Sequence, residues 1–272
     1  MTDLDGTRTR VDDALAAPES VTSLSLIGPE AVRADEAIRA CPDLREVFLD
    51  HPTIALEALG ESGVTRLRVT GAKHLRVAAW PETLEALALV DCTGVELPPL
   101  TALPRLKELE VDRSSVDLGL LLAPGLRRLV FTRGTLDALP AHLFALEQLK
   151  HLDLSGNALG ELAIPEGAWP SLGVLLLADN QLTALPDPLG KLPKLRELSI
   201  AKNRVARLPD TTMELAKLET LVIESNPGIE NVLPVVTALA KHNLRRVYAK
   251  GARLPRADVQ ALGRMKRPTL YR

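Results

Sequence analysis

The chain has 272 residues, a formal net charge of −2 and 46% hydrophobic residues, of which only a few are aromatic. That balance gives no overall attraction to nucleic acid or to a membrane surface, so neither is an expected partner. No run of about 18 apolar residues is present, and the two cysteines, Cys41 and Cys92, offer no disulfide framework.

In chain order, residues 1–20 read as an N-terminal cap, with a short helix from Val11 to Ala17. Met1 to Arg10 is polar and carries no apolar signal segment, which points to a cytoplasmic protein; a non-cleaved secretion signal of the bacterial effector type is the alternative. Apolar residues in alternation then mark short strands beginning at Val21, Leu44, Val64, Leu84, Leu106 and Leu126. From Leu149 the pattern becomes strict. Leu149-Lys-His-Leu-Asp-Leu-Ser-Gly-Asn157 recurs at Leu172–Asn180, Leu195–Asn203 and Leu218–Asn226, each start 23 residues after the last. An eleventh strand begins at Leu244, after a helical return over Pro234–His242. Residues 21–254 thus form an array of about eleven repeats, and 255–272 a C-terminal cap with a helix from Asp258 to Met265.

Each L-x-x-L-x-L/I-x-x-N unit has one apolar face and cannot bury it alone, so neighbouring units must lay their strands side by side. Asn157, Asn180, Asn203 and Asn226 fall where the chain leaves the strand. A buried amide there can donate to and accept from backbone groups that lack other partners. In the earlier repeats this position holds Pro29, Pro52, Ala72, Cys92, Ser114 and Gly134, so the first half is expected to be less regular. Leucines mostly three apart, as in Leu182, Leu185, Leu189, Leu192 and Leu195, suit an irregular or 3₁₀ return. Trp169 takes one of the leucine positions and reads as core.

With Leu139-Pro140, Leu185-Pro186 and Leu208-Pro209 in the returns, the pattern resembles the leucine-rich repeat, in its 23-residue Leu-Pro class found in cytosolic Ras-suppressor-type and bacterial repeat proteins. The resemblance implies an α/β solenoid: a right-handed superhelix with a curved parallel sheet on the concave face and short 3₁₀ or helical returns on the convex face. It also implies a non-catalytic scaffold that binds a protein partner, with a small GTPase or its regulator as the partner class. A bacterial secreted effector whose repeats select a host protein is the alternative.

No phosphate loop, dinucleotide fingerprint, zinc motif or metal-ligand spacing is present, so no cofactor and no metal are expected. His151, Asp153 and Ser155 have the composition of a hydrolase triad, but same-face neighbours on a strand stand about 7 Å apart, beyond hydrogen-bond reach. The side chains opposite the leucines are the candidates for recognition. Apolar residues stand among them where a solvated strand would carry polar ones. The expected partner surface is Arg128, Val130, His151, Asp153, Val174, Leu176, Val222, Arg246, Tyr248 and Lys250, centred on Val174 and Leu176, with Tyr248, Arg246 and Lys250 as a second centre. Glu46 and Arg66 are expected to pair across strands. Met1–Asp50 holds eleven acids and five arginines, and Lys241–Arg272 ten Lys/Arg and one acid, so self-association through oppositely charged ends is a further expectation.

Overall fold

The computed structural model describes residues 7–272. The chain divides into two compact units, Met1–Leu126 and Arg127–Arg272. In unit 1 the strands are β1 (Thr7–Arg8), β2 (Ser23–Ile27), β3 (Glu46–Asp50), β4 (Thr53–Leu56), β5 (Arg66–Thr70), β6 (His74–Val77), β7 (Ala86–Val90), β8 (Val95–Glu96) and β9 (Glu108–Asp112). The order β1-β2-β3-β5-β7-β9 makes a parallel sheet, and β4-β6-β8 makes a second. Helices α1 (Val11–Ala16), α2 (Pro29–Val32) and α3 (Ala34–Ala40) and 3₁₀ turns at Pro18–Ser20, Leu59–Glu61, Leu100–Ala102 and Leu118–Leu120 complete the unit.

The second sheet adds extended segments to the expected 3₁₀ or helical returns, which are also present at Leu59–Glu61, Leu100–Ala102 and Leu118–Leu120. Thr53-Ile-Ala-Leu56 and His74-Leu-Arg-Val77 each alternate exposed and buried positions, which is the period of a strand. The repeats here are also shorter, with strands starting at Glu46, Arg66 and Ala86. An extended return covers about twice the distance per residue of a helical one, so a short unit closes with fewer residues.

Unit 2 carries a parallel sheet in simple chain order: β10 (Arg128–Thr132), β11 (His151–Asp153), β12 (Val174–Leu176), β13 (Glu197–Ser199), β14 (Thr220–Val222), β15 (Arg246–Tyr248) and β16 (Thr269–Tyr271). Here the leucines three apart do form 3₁₀ returns, over Ala141–Ala145, Asp187–Lys191 and Asp210–Glu214. Two helices, α4 (Val232–Leu239) and α5 (Arg256–Arg264), replace them near the end of the unit.

One face is closed on every described strand except β1, β8 and β16. Leu152, Leu154, Leu175, Leu177, Leu198, Ile200, Leu221 and Ile223 are all buried, and Trp169 is fully so. The Trp169 indole donates to the carbonyl of Leu143 at 2.7 Å and its ring lies 5.1 Å from that of Phe144.

The asparagines build the expected ladder. Asn180 Nδ2 donates to the carbonyls of Leu154 (2.9 Å) and Leu177 (3.1 Å), and its Oδ1 accepts from the Leu159 amide (3.1 Å). Asn203 repeats this with Leu177 (2.9 Å), Ile200 (3.0 Å) and the Leu182 amide (3.0 Å). Asn226 does so with Ile200 (2.8 Å), Ile223 (3.2 Å) and Val205 (3.1 Å). Each amide therefore ties its own turn to the one before, and the carbonyls of Leu177 and Ile200 each receive two of them.

In unit 1, Ser114 substitutes with a shorter reach. Its Oγ accepts from the Cys92 amide (2.8 Å) and lies within hydrogen-bond distance of the Leu89 and Asp112 carbonyls (3.1 and 2.9 Å). Cys92 Sγ makes only long contacts to Val69 and Val90 carbonyls, 3.5 and 3.4 Å. Burial pushes the Cys41 and Cys92 thiols up.

The residue before every ladder position but Pro52 turns the chain through the left-handed region: Gly28, Gly71, Asp91, Arg113, Arg133, Gly156, Asp179, Lys202, Ser225 and Gly251 all have positive φ. For the six that are not glycine this is a local cost, which the side-chain bonds at the next residue offset in all but Arg133, where Gly134 follows.

Candidate partner-binding face

Side chains opposite the buried leucines form rows, because the strands pair in unbroken register. One row in unit 2 runs Arg128, His151, Val174, Glu197, Thr220, Arg246, Thr269. Its neighbour runs Val130, Asp153, Leu176, Ser199, Val222, Tyr248, Tyr271. The ten expected residues are therefore on the sheet or directly after it. They form two groups, because β12 and β15 are three strands apart, roughly 14 Å.

The first group holds Arg128, His151, Asp153, Val174 and Leu176 on consecutive strands. Arg128 is exposed and the other four are half-buried. Val130 does not join them. It is only 8% exposed, because a short branched side chain stands below Arg128 along its own strand and Asp153 on the next. Val222 is half-buried and separated from Leu176 by Ser199, which is buried. Thr220, also buried, is overlaid by Arg246, whose Nε donates to its Oγ1 at 3.2 Å.

The second group is Arg246, Tyr248 and Lys250, with the cations exposed and the tyrosine half-buried. Here β16 brings in a residue that the sequence reading missed. Tyr271 stacks on Tyr248 with ring centroids 4.4 Å apart and planes at 10°, and it remains 42% exposed. The signal was present: Tyr271 lies 23 residues after Tyr248, the period of the preceding repeats.

Asp153 Oδ1 accepts from the Ser155 amide at 3.0 Å, so its carboxylate closes a turn after the strand. His151 Nε2 is buried without a hydrogen-bond partner. Burial lowers the His151 pKa from its usual value, Arg128 lowers it further, and Asp153 opposes both. The sign follows. The unfolded chain takes up the proton near pH 6.5 while the folded chain resists, so stability is lost as pH falls through that value toward the lower folded pKa. Replacing His151 with Gln is expected to flatten the decline in urea midpoint between about pH 7 and 5 relative to the parent chain. An unchanged slope would contradict this.

In unit 1 the outward face carries the expected Glu46–Arg66 pair at 3.5 Å. Arg68 also reaches Glu110 at 3.3 Å, two strands away, across the small Ala88 between them. Ile27 (70% exposed) and Phe48 (48% exposed) stand on this face on adjacent strands.

Among the described residues, no group of three or more His, Cys, Asp or Glu is placed to hold a metal ion. No described helix is long and apolar enough to cross a membrane.

Residues 148–168 match the family model described as Leucine Rich Repeat. No curated protein matches the chain. Among solved structures, a chain from an octameric complex of Latrophilin 3, Unc5D and FLRT2 (LRR) is similar at a TM-score of 0.67 and 22% identity, over 85% of this chain and 76% of that one. A leucine-rich repeat protein of Leptospira interrogans is similar at a TM-score of 0.54 and 16% identity, over 99% of this chain and 100% of that one. At these identities the likeness concerns the fold.

Proposed function

The chain is a leucine-rich repeat protein, and from that premise we propose that it is a non-catalytic scaffold holding a protein partner against the outward strand face of unit 2. The observation that carries this is Val174 and Leu176. They are apolar, half-exposed and neighbours on one strand, β12, whose opposite face is already filled. Charged and polar groups rim them: Arg128, His151 and Asp153 on one side, Glu197 and Ser199 on the other. An apolar centre with a polar rim is the anatomy of a protein interface, and a solvated sheet gains nothing from it. The leucine-rich repeat of FLRT2 occurs in a complex with two other proteins, which supports this use of the fold.

The resemblance of the 23-residue Leu-Pro repeat to Ras-suppressor-type proteins makes a small GTPase or its regulator the partner class to test first. A bacterial effector selecting a host protein would use the same face. The test is capture from native lysate by the parent chain and by a Val174→Asp, Leu176→Asp double variant. The variant is expected to lose a partner that the parent captures while its unfolding midpoint stays nearly unchanged. Full capture by the folded variant would place the site elsewhere.

A further inference from the structure

We propose that the chain associates head to tail with a second copy of itself: the tyrosine pair of β15–β16 docks on the apolar face of β2–β3, beside Asp50, in the next molecule. This gives an occupant to the second group of the partner face and is read separately from the Val174–Leu176 centre.

The basic half of the match is unusual in two respects. Tyr248 and Tyr271 present a stacked, rigid apolar surface on the outward face. Beside them, Arg246 and Lys250 make no ion pair among the described residues, and Asp258 is the sole acid from Lys241 to Arg272. Arg246 is held only by its bond to Thr220. An aromatic pair flanked by uncompensated cations is suited to an acidic surface that also offers apolar area.

The same chain carries such a surface. Ile27 and Phe48 are diagonal neighbours on β2 and β3, and both are more exposed than the half-buried aliphatics of unit 2. Asp50 is the register partner of Ile27 and makes no ion pair among the described residues, whereas Glu46 is paired with Arg66, and Arg68, beside Phe48 on β5, is paired with Glu110. Over Met1–Asp50 acids exceed arginines by eleven to five. Charge of opposite sign steers the encounter, and the covered Ile27, Phe48 and tyrosine surfaces hold it. The patches are small, so a weak contact is expected. Because the two patches differ, the contact is heterologous.

Sedimentation of the full chain over a range of concentrations tests this. The parent is expected to gain mass with concentration, and the association to weaken at least about tenfold between low salt and about 0.5 M salt. Two variants are then made at exposed positions, F48R/D50R and R246E/K250E, with folding checked by thermal unfolding. Each alone should remain a monomer where the parent associates. Mixed in equal amounts they should form one heterodimer and nothing larger, because each retains the patch that the other lacks. V174D/L176D should associate like the parent. A parent that stays monomeric throughout, a folded variant that self-associates like the parent, a mixture that stays monomeric, or loss of association in V174D/L176D would each overturn the proposal.

Discussion

Asn203→Ala is expected to destabilise the chain by about 3–5 kcal/mol, from about 1–3 for a buried donor left without a partner and about 1 for each bond lost. The orphaned group is the Leu182 amide, whose hydrogen-bond acceptor is Asn203 Oδ1 at 3.0 Å. The carbonyls of Leu177 and Ile200 fare better, since Asn180 and Asn226 still reach them at 3.1 and 2.8 Å. The loss is therefore more than a cap removed, because Asn203 joins its own turn to the preceding one. Asn203→Ser should recover only part of it. Ser114 satisfies the amide of the ladder residue before it, whereas Asn203 reaches two residues further, to Leu182. Urea unfolding of the two variants checks this, with Asn243→Ala as a control. Asn243 makes a single exposed bond to the Ala216 carbonyl, and its removal should cost less than about 1 kcal/mol.

The second large effect runs against the repeat pattern. Trp169 stands where the other repeats carry leucine, and Trp169→Leu restores that residue. The change is nevertheless expected to cost about 2–3 kcal/mol, and Trp169→Ala about 3–5. Trp169 is fully buried, packs against Phe144 and donates to the Leu143 carbonyl. A leucine would leave part of that volume empty. It would also leave the Leu143 carbonyl with only the 3.3 Å bond from Leu146 within its 3₁₀ turn. The adjacent return departs from the Leu-Pro pattern, at Leu162-Ala-Ile-Pro165, so the space has been shaped to the indole. A midpoint equal to or above that of the parent in Trp169→Leu would show that the site tolerates the common residue.

What could be read in the sequence follows from how physical periodicity is written there. The inward leucines and the four asparagines recur at one fixed spacing, so strand placement, the filled face and the ladder were legible residue by residue. β16 was equally legible, since Thr269 and Tyr271 continue the 23-residue step from Arg246 and Tyr248. The strand returns of unit 1 were written in the alternation of Thr53–Leu56 and His74–Val77, against the leucine spacing of the later returns. Exposure was harder. Alternation tells which side of a sheet Val130 points to, but not how far Arg128 and Asp153 rise around it. Ile27 was missed for a related reason. Strands β2, β3, β5, β7 and β9 of unit 1 run five residues and present a third outward position, whereas the strands of unit 2 from β11 onward run three.

The account depends on one separation: along each strand, alternate side chains hold the body together while the others are left for recognition. It is tested most directly by single alanine substitutions at Val174, Leu175, Leu176 and Leu177, with the unfolding free energy of each measured in urea. Leu175 and Leu177 are fully buried, and each should lose about 2–5 kcal/mol. Val174 and Leu176 should each lose less than about 1. A sawtooth of that kind is the predicted result. Comparable losses at all four positions would mean that the supposed free face is part of the core, and the account would fail.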